Sequence, residues 1–335
     1  MLLARSIMAG VELGIFESLE AAPLDVAEIA ARCGTDQKAT SMLLEALSAS
    51  GYLKLRRTRF ALSAQSRKWL LRNSPNTVRD KLLFQAHEWI WLEHLENFIR
   101  TSHPLDFHST MTKDQRSLYH RSMRVIAGIA SREIAWRTPV PPGARRMLDL
   151  GGSHGHFAAS ICRRHPNLTA EVMDFPEAIA EAAPILAVEG LKDRVVHVAG
   201  DVTTTALGES LYDLIFMSNL AHHLDQDQNE SLARRAARAL RPGGVFVLQE
   251  PIRPETPHKA GQTGTLLALY FALQSRSGVR GWSLNDLQCW QREAGLVARA
   301  PISLVTAPGW VQQAAVKPGH PAPENLLPIR ELRSH

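Results

Sequence analysis

A chain of 335 residues, 45% hydrophobic and 21% charged, is long enough for two domains with separate cores and has the composition of an ordinary globular protein. Its net charge of +5 comes without any long basic block, and Arg234, Arg235 and Arg238 read as a solvated helix face, so nucleic acid is not indicated as a partner. Cys33, Cys162 and Cys289 lie far apart with no metal or disulfide spacing, which points to a reducing cytoplasm.

The apolar N-terminus is interrupted by Arg5, Glu12 and Glu17, which argues against a secretory segment or a membrane span. Leu3, Ile7, Val11 and Ile15 instead fall at helical spacing. Asp25 then predicts a cap for a helix over Val26 to Arg32 that stops at Gly34. Thr35 is expected to cap a second helix with Met42, Leu43, Ala46 and Leu47 on its apolar face, stopping at Gly51. Tyr52 to Leu55 and Phe60 to Leu62 read as a β-hairpin, which completes a winged-helix order. Such a unit can bind DNA, but its second helix offers mainly Gln37, Lys38, Ser41 and Ser48 for base contacts. A scaffold reused for dimerisation and for roofing a substrate site is the reading adopted.

Lys81 to Trp136 reads as mostly helical and rich in aromatics. Trp89 and Trp91, two residues apart, cannot share a helical face, so one is expected in the core and the other at a pocket or interface. Pro139, Pro141, Pro142 and Gly143 mark a boundary. Beyond it, apolar runs begin near Met147, Ala170, Arg194, Tyr212 and Val245 with helices between them, the alternation of a mostly parallel sheet covered on both faces. Asp225 and Gln228 form a capping-box pattern for the helix that ends before Pro242-Gly-Gly244. Leu296 to Val305 and Val311 to Val316 fit a closing antiparallel pair, and the proline-rich stretch from Pro318 to His335 reads as a poorly ordered tail.

The chemistry concentrates at the ends of the predicted strands. Met147-Leu-Asp-Leu-Gly-Gly-Ser-His-Gly-His-Phe157 reads as strand, glycine-rich turn and helix, a pocket for a nucleotide-type ligand. It lacks the compact spacing of dinucleotide binders, and Asp149, two positions before the first glycine, suits a cationic ligand. Asp174 and Asp201 end the next two strands, facing the same crevice, where they would meet the ribose hydroxyls and, with Val202, the adenine. His154 and His156 fall short of a metal set, and no metal is expected.

Leu148-Asp-Leu-Gly-Gly-Ser-His-Gly155, Val172-Met-Asp-Phe-Pro176, Gly200-Asp201, Phe216-Met-Ser-Asn-Leu-Ala-His-His223 and Arg241-Pro-Gly-Gly-Val-Phe-Val-Leu-Gln-Glu250 occur in order. In this the chain resembles the S-adenosylmethionine-dependent O-methyltransferases of the caffeate and hydroxyindole type, from about Met1 to Val316. The resemblance implies an α/β fold. A Rossmann-like class I methyltransferase domain, with a mostly parallel sheet and an antiparallel closing strand, follows an α-helical winged-helix dimerisation domain. The expected division is residues 1–80 for dimerisation, 81–140 for a helical linker and substrate roof, 141–317 for the cofactor domain and 318–335 for the tail.

The resemblance further implies S-adenosyl-L-methionine as cofactor, S-adenosyl-L-homocysteine as product, a small aromatic acceptor methylated on a hydroxyl, and a homodimer formed through the N-terminal helical region. It sets Asp149, Gly151, Gly152, Gly155, Asp174, Phe175, Asp201, Val202 and Ser218 around the cofactor. His222 falls at the family's general base and Glu250 at the carboxylate that orients it, although the doubled histidine leaves His223 as the competing base. The family's second supporting glutamate would fall near Gly278 to Ser283, where none occurs. Trp89, Phe107, Met123, His223 and Tyr270 are the candidates for the acceptor pocket. The alternatives are carbon or nitrogen methylation or a non-methylating use of the same pocket, and a metabolite-sensing winged-helix DNA-binding regulator.

Overall fold

The computed structural model describes residues 1–191, 193–274 and 281–319, so the tail expected from Pro318 onward lies almost entirely outside the described residues. The chain divides into two compact units, Met1–Ile129 and Ala130–His335, with the division inside one long helix.

The first unit opens with α1 (Leu2–Glu12) and α2 (Ile15–Ser18) and continues as α3 (Val26–Cys33), α4 (Gln37–Ala49) and a hairpin of β1 (Leu53–Arg56) with β2 (Arg59–Leu62). Asp25 and Glu28 form a reciprocal capping box on α3, with Glu28 N–H to Asp25 at 3.0 Å and Asp25 N–H to Glu28 at 2.8 Å. Asp36, not Thr35, caps α4, accepting from the Ala39 N–H at 2.8 Å. Thr35 is instead engaged with the Thr40 hydroxyl at 2.7 Å. The buried side of α4 also differs from the expected one. Leu44 and Leu47 are fully buried while Met42 is 67% exposed, because successive helix positions turn by 100° and Met42 points away from the Leu44–Leu47 line. Truncating Leu47 to alanine is in the class of core deletions that cost ~2–5 kcal/mol.

After α5 (Ala64–Trp69) come α6 (Arg79–Leu92), α7 (Leu95–Thr101), α8 (Phe107–Thr110) and α9 (Lys113–Arg137). Phe84, Phe107 and Met111 centre a second small core joined by Trp91 and Tyr119. Trp91 therefore belongs to this core, 4.7 Å from the Phe107 ring centroid. Trp89 lies on another side of α6, along a cleft shared with Arg5, Glu12 and His87.

The second unit is built on one sheet, from β3 (Arg146–Leu150), β4 (Thr169–Asp174), β5 (Val195–Ala199), β6 (Tyr212–Ser218), β7 (Leu240–Pro251), β8 (Val297–Ala298), β9 (Ile302–Ser303) and β10 (Trp310–Val316). The order is β5-β4-β3-β6-β7-β10-β8, with β9 also paired to β10. The first five strands are parallel, and β10 runs antiparallel to β7, β8 and β9. The expected closing pair is thus a long β10 flanked by two short strands. The Pro242-Gly-Gly244 turn is absorbed into β7 as an irregularity, since Tyr212 pairs with Leu240 and Leu214 with Val245.

Helices α10 (His156–Arg164), α11 (Pro176–Ala187), α12 (Gln226–Ala239), α13 (Gln262–Gln274) and α14 (Leu284–Glu293) complete the unit, with separate apolar cores on the two sheet faces. The strand order reverses between β3 and β6, so the crevice beyond their carboxyl ends is where a ligand is held in such sheets. No helix among the described residues is long and apolar enough to cross a membrane.

Candidate active site

Each element that ends at this crevice contributes one polar feature. The turn after β3 carries Gly151, Gly152 and Gly155, with Gly155 at φ +65° as the residue before α10. Gly152 is set by close approach: a Cβ there would lie 2.6 Å from the Asp149 carboxyl and 2.7 Å from Val172. The Ser153 N–H donates to Asp174 at 2.9 Å, and its carbonyl meets His197 Nε2 at 2.8 Å. The other Asp174 oxygen accepts from the Phe175 N–H at 2.8 Å, while the Phe175 ring is half exposed.

Asp149 is buried beneath this turn. Burial, and then the charge of Asp174, pushes its carboxyl up to about 8. Asp174 is raised by burial as well, although the N–H groups of Phe175 and Ser153 and the charge of His197 pull the other way. A folded value for Asp149 above the unfolded 3.8 means that its contribution to stability is full below about pH 4 and is lost as pH rises through about 8. The ligand-free protein is therefore expected to lose melting temperature across that window, and Asp149→Asn to flatten the loss. Parallel pH profiles for the two proteins would remove Asp149 as the titrating group.

Asp201, just beyond β5, accepts from the Thr203 N–H at 2.8 Å and hydroxyl at 2.7 Å, which holds it below the usual carboxylate range. The adjoining turn is fastened by Arg235, which donates to the carbonyls of Thr205 and Val202. Val202 is buried.

Across the crevice, β6 ends at Ser218 and the chain enters a 3-10 turn, Ala221–His223. Glu250, near the end of β7, holds this turn. One of its oxygens accepts from the N–H groups of Leu220 and Ala221 at 2.7 and 2.8 Å, and the other meets His222 Nδ1 at 2.8 Å. Both side chains are buried. His223 does not take that place; its ring centroid lies 4.3 Å from that of His222.

Three further groups at this turn were not expected from the sequence. Phe271 of α13 stacks on the His222 ring at 3.8 Å and 12°. Trp282 Nε1 donates to the Ala221 carbonyl at 2.8 Å. Trp310 Nε1 donates to Asn219 at 2.7 Å, and Asn219 in turn donates to Ser218, which also accepts from Gln249. The one available signal was the left-handed residue Asn219, a type tolerant of positive φ, here +54°. Phe271 lies in an apolar run with no amphipathic pattern, so its facing was illegible.

Of the segment where the family's second supporting glutamate would fall, residues 278–280 lie outside the described residues, and Gly281 is held against Ala268. His156 is engaged by Glu189 at 2.7 Å, and no group of three or more metal-type ligands occurs among the described residues. Of the acceptor-pocket candidates, Trp89, Phe107 and Met123 belong to the first unit and His223 and Tyr270 to the second. Phe107 is buried in its aromatic core, Trp89 has the Arg5 guanidinium 6.0 Å from its ring, and Tyr270 lies beside Phe271.

Residues 96–285 match the O-methyltransferase domain and residues 2–72 the O-methyltransferase dimerisation domain. The chain is 26% identical to 3-hydroxy-5-methyl-1-naphthoate 3-O-methyltransferase of Streptomyces sahachiroi, over 87% of this chain and 85% of that one. It is 27% identical to acetylserotonin O-methyltransferase of Mus musculus, over 83% and 76%. Human N-acetylserotonin methyltransferase, solved in complex with S-adenosylmethionine, shares the fold with a TM-score of 0.81 at 19% identity, covering 95% of this chain and 94% of that one.

Proposed function

The chain belongs to the S-adenosylmethionine-dependent O-methyltransferase family, and from that premise we propose that it methylates a phenolic hydroxyl of a small aromatic acceptor, with His222 as general base and Glu250 as the group that orients it. The observation that carries this reading is the Glu250 bridge, which ties the His222 ring to the backbone of its own turn.

The residues of the glycine turn fit the cofactor. Asp149 and Asp174 are acids whose carboxyls are pushed up by burial, and the positive charges of a sulfonium nucleoside with its ammonium group would favour their ionised forms beside a turn that close approach keeps to glycine at position 152. Asp174 would hold the ribose, Asp201 and Val202 the adenine, with Phe175 over its open side and Ser218 across the crevice. Bound S-adenosylmethionine supplies a methyl group that is already electrophilic, so the chain's work is alignment and removal of one proton.

A phenol is a weak nucleophile until that proton leaves. With Nδ1–H donated to Glu250, the His222 imidazole keeps an unprotonated Nε2, the atom that takes the hydroxyl proton. Glu250 cannot rotate away without giving up two backbone donors, and Phe271 limits rotation of the ring. His222 is favoured over His223 because it alone of the two is bonded to this carboxylate. The relatives named for O-methylation of a hydroxynaphthoate and of acetylserotonin support a fused-ring acceptor of secondary metabolism. The dimerisation match supports a homodimer, and the cysteine pattern a cytoplasmic enzyme.

The test is transfer from methyl-labelled cofactor to panels of hydroxynaphthoates and hydroxyindoles, of amines, and of ring-carbon nucleophiles. Label is expected in aryl methyl ethers. Label only in N-methyl or C-methyl products would overturn the reading.

A further inference from the structure

The last turns of α9 and α10 enclose a second concave feature, an open cleft of about 430 Å³ in the second unit. Its polar lining is Ser131, Arg132, Ser160, Arg163 and Arg164, with Trp136 as its large apolar wall and no carboxylate among the lining residues. Basic residues in the last turn of a helix are the ordinary complement of its dipole, which accounts for Arg163 and Arg164 on α10 alone. It does not account for Arg132 and Trp136 facing them from another helix. Glu133, the neighbouring acid in sequence, is occupied elsewhere, by the N–H groups of Val305 and Thr306 at 2.8 and 2.7 Å and by Arg137 at 2.7 Å.

The cleft has the parts of a receptor for an anion on a ring. Trp136 is 62% exposed, and the Arg164 guanidinium lies 3.3 Å from its ring centroid. A stacked guanidinium keeps its in-plane N–H donors for a carboxylate or phosphate, while the aromatic wall receives an apolar plane. The volume is that of a site for a molecule of one or two rings.

Arg163 links the cleft to the cofactor turn. It donates to the Glu189 carbonyl at 2.7 Å and carboxylate at 2.5 Å. The other carboxylate oxygen of Glu189 meets His156 Nδ1 at 2.7 Å, and the His156 N–H donates to His154 Nδ1 at 3.1 Å inside the glycine turn. An oxyanion that engages Arg163 competes with Glu189 and so alters the hold on His156, the first residue of α10.

We propose that this cleft binds a small aromatic oxyanion, a carboxylate or phosphate on a flat ring, and that its occupation changes cofactor affinity through Arg163, Glu189 and His156. The proposal uses the cofactor site and not the identity of the methyl acceptor, so the acceptor panel and this test fail separately.

Isothermal titration of the full chain with phenyl phosphate and with benzoate separates the two sources of oxyanion, and inorganic phosphate reports the anion without the ring. At least one of the aromatic anions is expected to bind once per chain and at least tenfold more tightly than inorganic phosphate. The double variant Arg132→Gln/Arg164→Gln is expected to weaken that binding at least tenfold. Both side chains are exposed, and unchanged S-adenosylhomocysteine affinity without the anion verifies that the variant is folded. Saturating anion is expected to change S-adenosylhomocysteine affinity at least threefold, with the same factor when the order of addition is reversed, and Arg163→Gln to abolish the change. Absence of saturable binding, undiminished affinity in the double variant, or cofactor affinity indifferent to the anion would each overturn the proposal.

Discussion

His222→Ala is expected to lower methyl-transfer turnover by at least ~100-fold, the lower end of what a positioned general base contributes, while S-adenosylhomocysteine affinity stays within twofold. The expectation follows from the division of labour proposed across the crevice: Asp149, Asp174 and Asp201 at the ends of β3, β4 and β5 would hold most of the cofactor, with Ser218 opposite, whereas His222 stands on the turn after β6. His223→Ala is the control and should retain most of the activity. Glu250→Gln is expected to be nearly as damaging as loss of the imidazole. Its amide nitrogen would donate to Nδ1, forcing the proton onto Nε2 and leaving no lone pair for the acceptor hydroxyl. Initial-rate kinetics on a phenolic acceptor, paired with calorimetric titration of the product cofactor, separate these effects. Turnover of His222→Ala within threefold of the parent, or a larger loss in His223→Ala, would remove His222 as the base.

Gly152→Ala is expected to weaken S-adenosylhomocysteine binding by tenfold or more with the fold retained. One added methyl must sit 2.6 Å from the Asp149 carboxyl and 2.7 Å from Val172, both fixed in buried strand positions, so the turn has to move outward, into the space proposed for the cofactor. Overpacking of this kind costs ~1–3 kcal/mol, and each 1.4 kcal/mol is a factor of ten in affinity. Gly34→Ala supplies the contrast. That glycine is left-handed at φ +65° with nothing within 4 Å of an added Cβ, so the variant should lose stability by about 1 kcal/mol without losing affinity. Calorimetric affinity of Gly152→Ala equal to that of the parent would show that the turn accommodates the methyl and that the glycine is not required there.

Local signals are legible where a single short-range rule governs the structure. The Asp25 cap of α3 and the capping box of Asp225 with Gln228 depend only on residues three apart. The parallel strands announce themselves as apolar runs because both sheet faces are covered. Where two local solutions compete, the local sequence does not choose between them. Thr35 and Asp36 are both good caps, and the pairing of Thr35 with Thr40 decided between them. Pro242-Gly-Gly244 looks like the end of a helix, yet the pairing of β6 with β7 on both sides of it draws it into a strand.

By itself the amino-acid order determined the two-part architecture, the sheet of alternating strands and helices, the glycine turn and the row of acids at the strand ends, because each rests on spacing along the chain. Only the tertiary structure decided which of two adjacent histidines meets Glu250, since a one-residue shift on a 3-10 turn reverses which ring faces the neighbouring strand. It alone brought Phe271, Trp282 and Trp310 to that turn from positions 49, 60 and 88 residues beyond His222. It alone set Trp136 of α9 against Arg164 of α10. Those meetings depend on how separate elements pack, and no periodicity within one element encodes them.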